Sequence, residues 1–384
     1  MSVRETIAAY VEKQYPVYRQ IALDIHAHPE VSNYEFYACE RLSEQLKAEG
    51  FDVTVDVAGH RTGFTGTCKA EKPGPVLVFL AEYDALTGLG HGCGHNLFGA
   101  TSLLAASALK QVIDQTGGEV RVYGTPGEEG GENGSAKGSF VREGFFQDVD
   151  AALCVHPGDK HEATSKNIAC LPVDIEFWGR PAHAAAAPEK GINALRQHTT
   201  PDILIHGIIT HGGDAPNIVP EYAAAKFYFR AATVPRLEAV YKRIEKVVEG
   251  AALMTGAKGR MQPYQNRVDN MVPTPSFDAV YGKELALLGE TMLPPDAGCG
   301  IGSSDVGNVS QVIPVIQPTI CITDHSTPWH SEESKAAARS EKGLASIALG
   351  AKSLALTALD LIEDPALLWQ IKADHAKAIT EQRE

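Results

Sequence analysis

One six-residue run limits the folds open to this chain more than any other stretch. Val76-Leu77-Val78-Phe79-Leu80-Ala81 is apolar throughout, which suits a strand buried on both faces of a mostly parallel sheet rather than a half-exposed one. Directly after it come Glu82-Tyr83-Asp84-Ala85-Leu86 and Gly90-His91-Gly92-Cys93-Gly94-His95-Asn96. In open α/β sheets ligands bind beyond the carboxyl ends of the strands, so Glu82 and Asp84 emerge where a site belongs. The glycines let the chain turn tightly enough to bring Cys93 and His95 back toward those carboxylates. A thiolate, an imidazole and a carboxylate on one loop make a donor set for a borderline-soft divalent cation. This stretch reads as half of a metal site.

The other elements extend the same α/β pattern. Ser2 and Glu5 are spaced as a capping box that opens a helix toward Ile25, with a kink expected at Pro16. A second helix is expected over Tyr34–Glu49, stopped by Gly50. Phe51–Val57 and Gly63–Lys69 read as a hairpin at the sheet edge, and Leu97–Ile113 as a packing helix. Strand Glu119–Tyr123 runs into Gly127-Glu128-Glu129-Gly130. A helix over Ala136–Phe145 then leads to strand Ala151–Val155, which ends at His156. Three strands thus end in acidic or imidazole groups, at Glu82 and Asp84, at Glu128 and Glu129, and at His156.

Near Ile168 the pattern changes to strand Leu171–Trp178, helix Gly191–His198, strands Ile203–Thr210 and Tyr222–Ala232, helix Arg236–Thr255 and a strand near Arg260–Tyr264. That order predicts a ferredoxin-like α+β layer over 168–272, inserted between catalytic parts 1–167 and 273–384. The second catalytic part is read as helix Phe277–Leu288, strand Pro314–Thr323, helix Ser334–Leu361 and helix Pro365–Glu381.

Bulk properties exclude some functions. The formal charge of 34 minus 48, or −14, argues against nucleic acid or an anionic membrane as the main partner. The seven cysteines are scattered without disulfide-framework spacing, which fits reduced thiols. The first residues have no apolar signal core and no uninterrupted apolar stretch is long enough for a bilayer, so the protein is expected to be soluble and cytoplasmic.

Adjacent Glu128 and Glu129 diverge in an extended backbone. One carboxylate can then sit on a metal while the other faces water made acidic by it and carries the proton to a leaving amine. Taken alone, Glu-Glu-Gly is usually a solvated turn; following a strand, with Cys93 and His95 upstream, the functional reading prevails. Cys93 also reads as a buried structural thiol or as a nucleophile activated by His91 or His95, although nearby carboxylates would raise its pKa. His156 is a ligand or a satisfied strand-end histidine. His183 is a loop histidine unless the inserted domain carries it to a developing oxyanion. Asn217 and Arg230 could hold a substrate carbonyl and carboxylate, or serve as turn chemistry and a solvated strand face.

Together these residues resemble the dinuclear-metal amidohydrolases related to aminoacylase and glutamate carboxypeptidase, in the branch of hippurate, indole-acetyl-amino-acid and aminobenzoyl-glutamate hydrolases. The matching motifs are Ala81–Leu86, Gly92–Asn96, Gly127–Gly130, Val155–Gly158, Pro181–Ala184, Ala215–Pro220, Ser304–Asn308 and His330-Ser331. The resemblance implies a zinc-peptidase-like catalytic domain with an inserted lid that forms a homodimer. It places Cys93, His95, Glu129, His156 and His330 on the ligands of two Mn2+ or Zn2+ ions, and Glu128 on the general base. Asp84 falls on an acidic position supporting the ligands, His183 on the lid histidine for the tetrahedral intermediate, and Asp305 within a motif at the substrate. The implied substrate is a small acyl-amino acid or dipeptide. The alternatives are a non-catalytic homologous subunit or ligand-binding protein and a metal-free cysteine hydrolase. The helix over Gly191–His198 is shorter than in relatives, a departure that bears on lid packing, dimerisation and delivery of His183, and not on the metal motifs.

Overall fold

The computed structural model describes residues 1–178, 203–214, 219–295, 302–324 and 326–383. The chain divides into two compact units, one of Met1–Lys166, Met271–Gly300 and Asp305–Glu384, the other of Asn167–Asn270 and Ile301–Ser304.

The larger unit opens with helix α1 (Val3–Ala27), where Ser2 and Glu5 form the capping box and Pro16 lies inside without ending the helix. Its buried residues Ile7, Val11, Tyr18, Ile21 and Ile25 recur at helical spacing. Helix α2 (Phe36–Ala48) follows, and its first free amides, of Tyr37 and Ala38, donate to the Glu30 carboxylate at 3.0 Å each. Strands β1 (Asp52–Val57) and β2 (His60–Lys69) are an antiparallel hairpin with β1 at the edge. Then come β3 (Val76–Ala81), α3 (His95–Lys110), the short α4 (Ile113–Thr116), β4 (Glu119–Gly124), α5 (Ala136–Arg142), β5 (Ala151–Leu153) and β6 (His156–Gly158).

The main sheet has the order β1-β2-β4-β3-β5 followed by β11 (Val315–Ile316), with β3 parallel to both β4 and β5. It is a mixed, mostly parallel sheet between helices, and β3 is its two-sided spine. Leu77, Phe79 and Ala81 enter one apolar cluster, which includes residues of α1 and α3, while Val78 and Leu80 enter another with Phe140 and Val309. The alternation of Cβ directions along a strand sends successive residues into opposite layers, so an unbroken apolar run is needed to fill both.

The smaller unit holds β7 (Ala169–Trp178), β8 (Ile203–His211), β9 (Tyr222–Ala231), α6 (Val234–Thr255) and β10 (Lys258–Pro263). Its four strands form an antiparallel sheet in the order β10-β7-β9-β8, the arrangement of a ferredoxin-like layer. Leu237, Val240, Ile244 and Val248 make the buried stripe of α6, in one cluster with Val173, Ile175 and Phe229. The expected helix Gly191–His198 lies outside the described residues.

Back in the larger unit, α7 (Pro275–Leu287) and α8 (Val306–Ser310) precede β11 and β12 (Thr319–Cys321). The single strand expected over Pro314–Thr323 is therefore two pieces: β11 pairs with β5 and β12 with β6. Pro318, which has no N–H to donate, stands at the break, where its carbonyl accepts from the His156 amide. The long helix expected over Ser334–Leu361 is also divided, into α9 (Glu332–Ala337) and α10 (Glu341–Glu363), because the Ser340 hydroxyl caps a new start at the Gly343 amide. Helix α10 is long and apolar enough in composition to cross a bilayer, yet most of it is buried, against α3, α1 and α7. Helix α11 (Pro365–Arg383) completes the chain.

Candidate metal centre

The site grows from the carboxyl ends of the parallel strands. Glu82 and Asp84 leave β3 wholly buried. The chain then loops back through a Leu86–Gly90 bridge to Gly94, which has φ +81° and where a Cβ would come within 2.9 Å of Pro157. Only glycine meets both conditions, and the turn it permits puts His95 at the first position of α3. Oδ1 of Asp84 lies 2.9 Å from Nδ1 of His95. With the proton on Nδ1, the lone pair of Nε2 faces inward. His156 repeats the device: its Nδ1 donates to the Pro157 carbonyl at 2.7 Å, leaving Nε2 3.5 Å from Sγ of Cys93.

Glu128 and Glu129 follow β4, and their side chains part. Glu129 Oε1 lies 3.6 Å from Nε2 of His330, and the Glu129 amide donates to Oδ2 of Asp84 at 2.9 Å. Glu128 instead converges with Glu82 and His95. His330, half-exposed, takes a left-handed backbone with φ +57° just before α9. Such a conformation is costly for a side chain with a Cβ and concentrates at functional positions. The Ser334 hydroxyl, donating to the Gly92 carbonyl at 2.7 Å, ties α9 to the Cys93 loop.

The donor atoms form three groups, each with all its atoms within 4.8 Å of one another: Cys93, His95 and His156; Cys93, Glu129 and His330; and Glu82, His95 and Glu128. The first two share the thiol of Cys93. Nε2 of His95, 3.2 Å from a Glu82 oxygen, and Oε1 of Glu129, 3.6 Å from Nε2 of His330, are buried without a well-aligned hydrogen bond among the described residues, an arrangement that a bound cation would satisfy. Thiol, imidazole and carboxylate donors in these groups fit a borderline divalent cation.

Electrostatics point the same way. Burial lowers the His156 pKa to about 4 and keeps its imidazole neutral. Burial also works against a charged His95, but Cys93 and Asp84 outweigh it and raise His95 above its ordinary value. The surroundings of Nε2 thus stabilise positive charge, carried by a proton or by a cation. Burial, reinforced by the Glu129 carboxylate, holds the Cys93 thiol well above its usual range, which disfavours a metal-free cysteine nucleophile. Glu128 is raised by burial and then by Glu82 and Glu129.

Three participants stand outside the ligand and catalytic sets expected from the sequence. Glu82 lies 3.2 Å from His95 Nε2 and forms an ion pair, at 2.8 Å, with the ammonium of Lys137. Lys137 is wholly buried on α5 and also reaches Oδ1 of Asp305 at 2.6 Å. Burial works against its charge, but Asp305, Glu82 and Glu128 outweigh it and raise the lysine's pKa. The motif reading puts Asp305 at the substrate; here it is fully buried, with its second oxygen accepting from the Lys137 amide at 3.1 Å. Its carboxylate belongs to the protein's own charge network. Glu35, the third, is also fully buried, and its position at the start of α2 is a cue, since glutamate is not a favoured N-cap. In the smaller unit, Nη1 of Arg230 donates to the Ser303 hydroxyl at 3.1 Å. His183 and Asn217 lie outside the described residues.

A sequence profile of peptidase family M20/M25/M40 matches residues 79–360. The Xaa-Arg dipeptidase of Mus musculus is 33% identical over 326 residues, covering 80% of this chain and 75% of that protein. One of the two p-aminobenzoyl-glutamate hydrolase subunits of Escherichia coli (strain K12) is 30% identical, covering 97% of this chain and 94% of the relative. Among solved structures, a dinuclear metal binding peptidase from the M20 family of Bacillus subtilis superposes with a TM-score of 0.62 at 20% identity, covering 91% of this chain and 99% of the other. That last likeness establishes the shared fold.

Proposed function

The chain belongs to peptidase family M20/M25/M40 and is a metal-dependent hydrolase of amide or peptide bonds, and on that premise we propose that it cleaves a small acyl-amino acid or dipeptide using two Mn2+ or Zn2+ ions. The observation that carries this reading is the pair of donor triads sharing Cys93, with the inner nitrogens of His95 and His156 turned toward the thiol. In this proposal Cys93, His95 and His156 hold one ion, and Cys93, Glu129 and His330 the other. Bound there, such cations polarise a carbonyl and acidify water. Asp84 orients His95 through Nδ1. Glu128, kept protonatable by burial and by its acidic neighbours, accepts the proton of the attacking water and passes it to the leaving amine. His183 is assigned to the oxyanion, and Asn217 and Arg230 to the substrate's carbonyl and carboxylate.

The smaller unit is proposed as a homodimer contact. Among the described residues its strand β8 pairs on one side, with β9, and carries Ile208 and Ile209, which are 67% and 78% exposed. A homologous second subunit is the alternative, since two Escherichia coli relatives are named as different subunits of one hydrolase. The free thiols suit a cytoplasmic setting.

Glu128→Ala is the test of the mechanism. Bound metal, measured by elemental analysis, is expected to persist while turnover of aminobenzoyl-glutamate, acyl-amino acids and dipeptides falls by about 10²–10⁴-fold. Near-wild-type turnover, or loss of metal in parallel with activity, would remove Glu128 from the role of base. A wild-type chain inert alone and active only with a second subunit would favour the heteromeric alternative.

A further inference from the structure

The loop between β4 and α5 carries Glu128 and Glu129 and closes on itself at the Gly127 carbonyl, which accepts from the Ser135 amide at 2.6 Å and the Gly130 amide at 3.3 Å. Gly127, Gly130 and Gly131 all have positive φ and bring no side chains to pack. It is also held from outside. The Glu35 carboxylate accepts the Gly127 amide at 3.0 Å, and the Asp84 carboxylate accepts the Glu129 amide at 2.9 Å. These two amides stand on either side of Glu128. The second oxygen of Glu35 is taken by the Thr62 hydroxyl at 2.8 Å, and the Thr62 carbonyl by the Tyr83 hydroxyl at 2.6 Å.

The residues just before Glu35 press on the same loop. Asn33, itself left-handed with φ +60°, donates from Nδ2 to the carbonyls of Glu132 and Asn133 at 3.0 and 2.9 Å. Gly127 lies so close to Ser32 that a Cβ on it would come within 2.4 Å of the serine hydroxyl. Segment Ser32–Glu35 is therefore a cradle for the glutamate loop, with a buried carboxylate at its centre.

We infer that Glu35 is a positioning residue of the hydrolase: it holds the Pro126–Gly127 peptide group, one before the pair that flanks Glu128, while Asp84 holds the Glu128–Glu129 peptide group, and together they set where the Glu128 side chain points. The inference rests on the reading of Glu128 as the base. It also defines what the site needs from position 35, which is an acceptor at the Gly127 amide rather than a negative charge. Glutamine provides one, because its carbonyl oxygen can take the Gly127 amide while its NH2 donates to Thr62, whose hydroxyl accepts as well as donates. Alanine provides none.

The experiment compares Glu35→Gln and Glu35→Ala in the full-length, metal-loaded protein. Glu35→Ala is expected to lower kcat by about 10²-fold with KM and metal content unchanged, the scale of a small misplacement of a catalytic group. Glu35→Gln is expected to stay within about threefold of wild type, a rescue by acceptor geometry. Hydrogen exchange at the Gly127 amide should accelerate in the alanine variant alone. Glu35→Leu, which fills the volume without accepting a hydrogen bond, replaces alanine if that protein does not fold. Unchanged kcat or a still-protected Gly127 amide in the variant lacking an acceptor would overturn the inference, and so would a glutamine variant as impaired as alanine. The exchange readout does not depend on Glu128 being the base, so failure of that reading and failure of the clamp are told apart.

Discussion

In the larger unit β3 is covered on both faces, and charged groups lie in its interior: Glu35, Glu82, Asp84, Lys137 and Asp305 are buried to within about 1% of full exclusion from solvent. In the smaller unit the buried cluster is built from Val173, Ile175, Phe229 and Leu237, while the outermost strand β8 leaves Ile208 and Ile209 in the open. One unit gives up stability to hold ionisable groups out of water; the other exposes apolar side chains on a strand that, among the described residues, is paired on one side. Buried charge opposes folding unless each group is paired, so its concentration at the strand ends marks where chemistry is done. An uncovered edge strand is a place for another chain. The contrast predicts that substitutions in the first unit act through electrostatics and folding, and those on the edge of the second through assembly.

Lys137→Met is the sharpest way to break this contrast. Its ammonium lies between Glu82 and Asp305, all three wholly buried. Removing it strands two carboxylates, and the expected loss is about 3–5 kcal/mol of stability, read by urea denaturation. A loss below about 1 kcal/mol would mean that the network is hydrated and that buried charge does not order this unit.

Glu35 gives a smaller effect with a defined sign. Burial first, and then the Asp84 charge, push its pKa from an ordinary 4.5 up to about 8. Between these values the folded protein keeps a proton that the unfolded chain has released, so this group makes stability fall as pH rises through that interval. Glu35→Gln cannot release that proton. Its Tm advantage over wild type should therefore widen between pH 5 and pH 8, by at least about 2 °C, and level off above. A gap independent of pH would show that Glu35 is ionised throughout.

How much of this can be read from the residues alone follows from how local each signal is. The spine β3 is legible because a strand buried on both faces must be apolar without interruption, and the loop after it because Cys93, His95 and their glycines are close in sequence. The stretch Pro314–Thr323 reads as one strand although Pro318 stands where backbone pairing passes from β11 to β12, and the division between α9 and α10 lies in the single cap Ser340. Lys137 is not legible at all. On a short helix a lysine reads as solvated, and only the distant Asp305 and Glu82 explain its burial. Glu35 likewise acquires meaning only when Gly127, far along the chain, donates to it.

The smallest effect on the folded chain is expected at the edge of the second unit, where it becomes the largest effect on assembly. Ile209 is 78% exposed on β8, opposite Ala225 of β9, so Ile209→Lys removes little packing and should change the stability of the isolated chain by no more than about 0.5 kcal/mol. If two copies join through this strand, a lysine at that position desolvates a charge in each, and like charges facing across the contact repel. Light scattering on size-exclusion chromatography should then report the mass of two chains for wild type and of one chain for the variant at the same concentration. A variant that remains dimeric would move the interface away from β8, and a wild-type chain that is monomeric by itself and gains mass only with a homologous partner would identify this strand as a heteromeric surface.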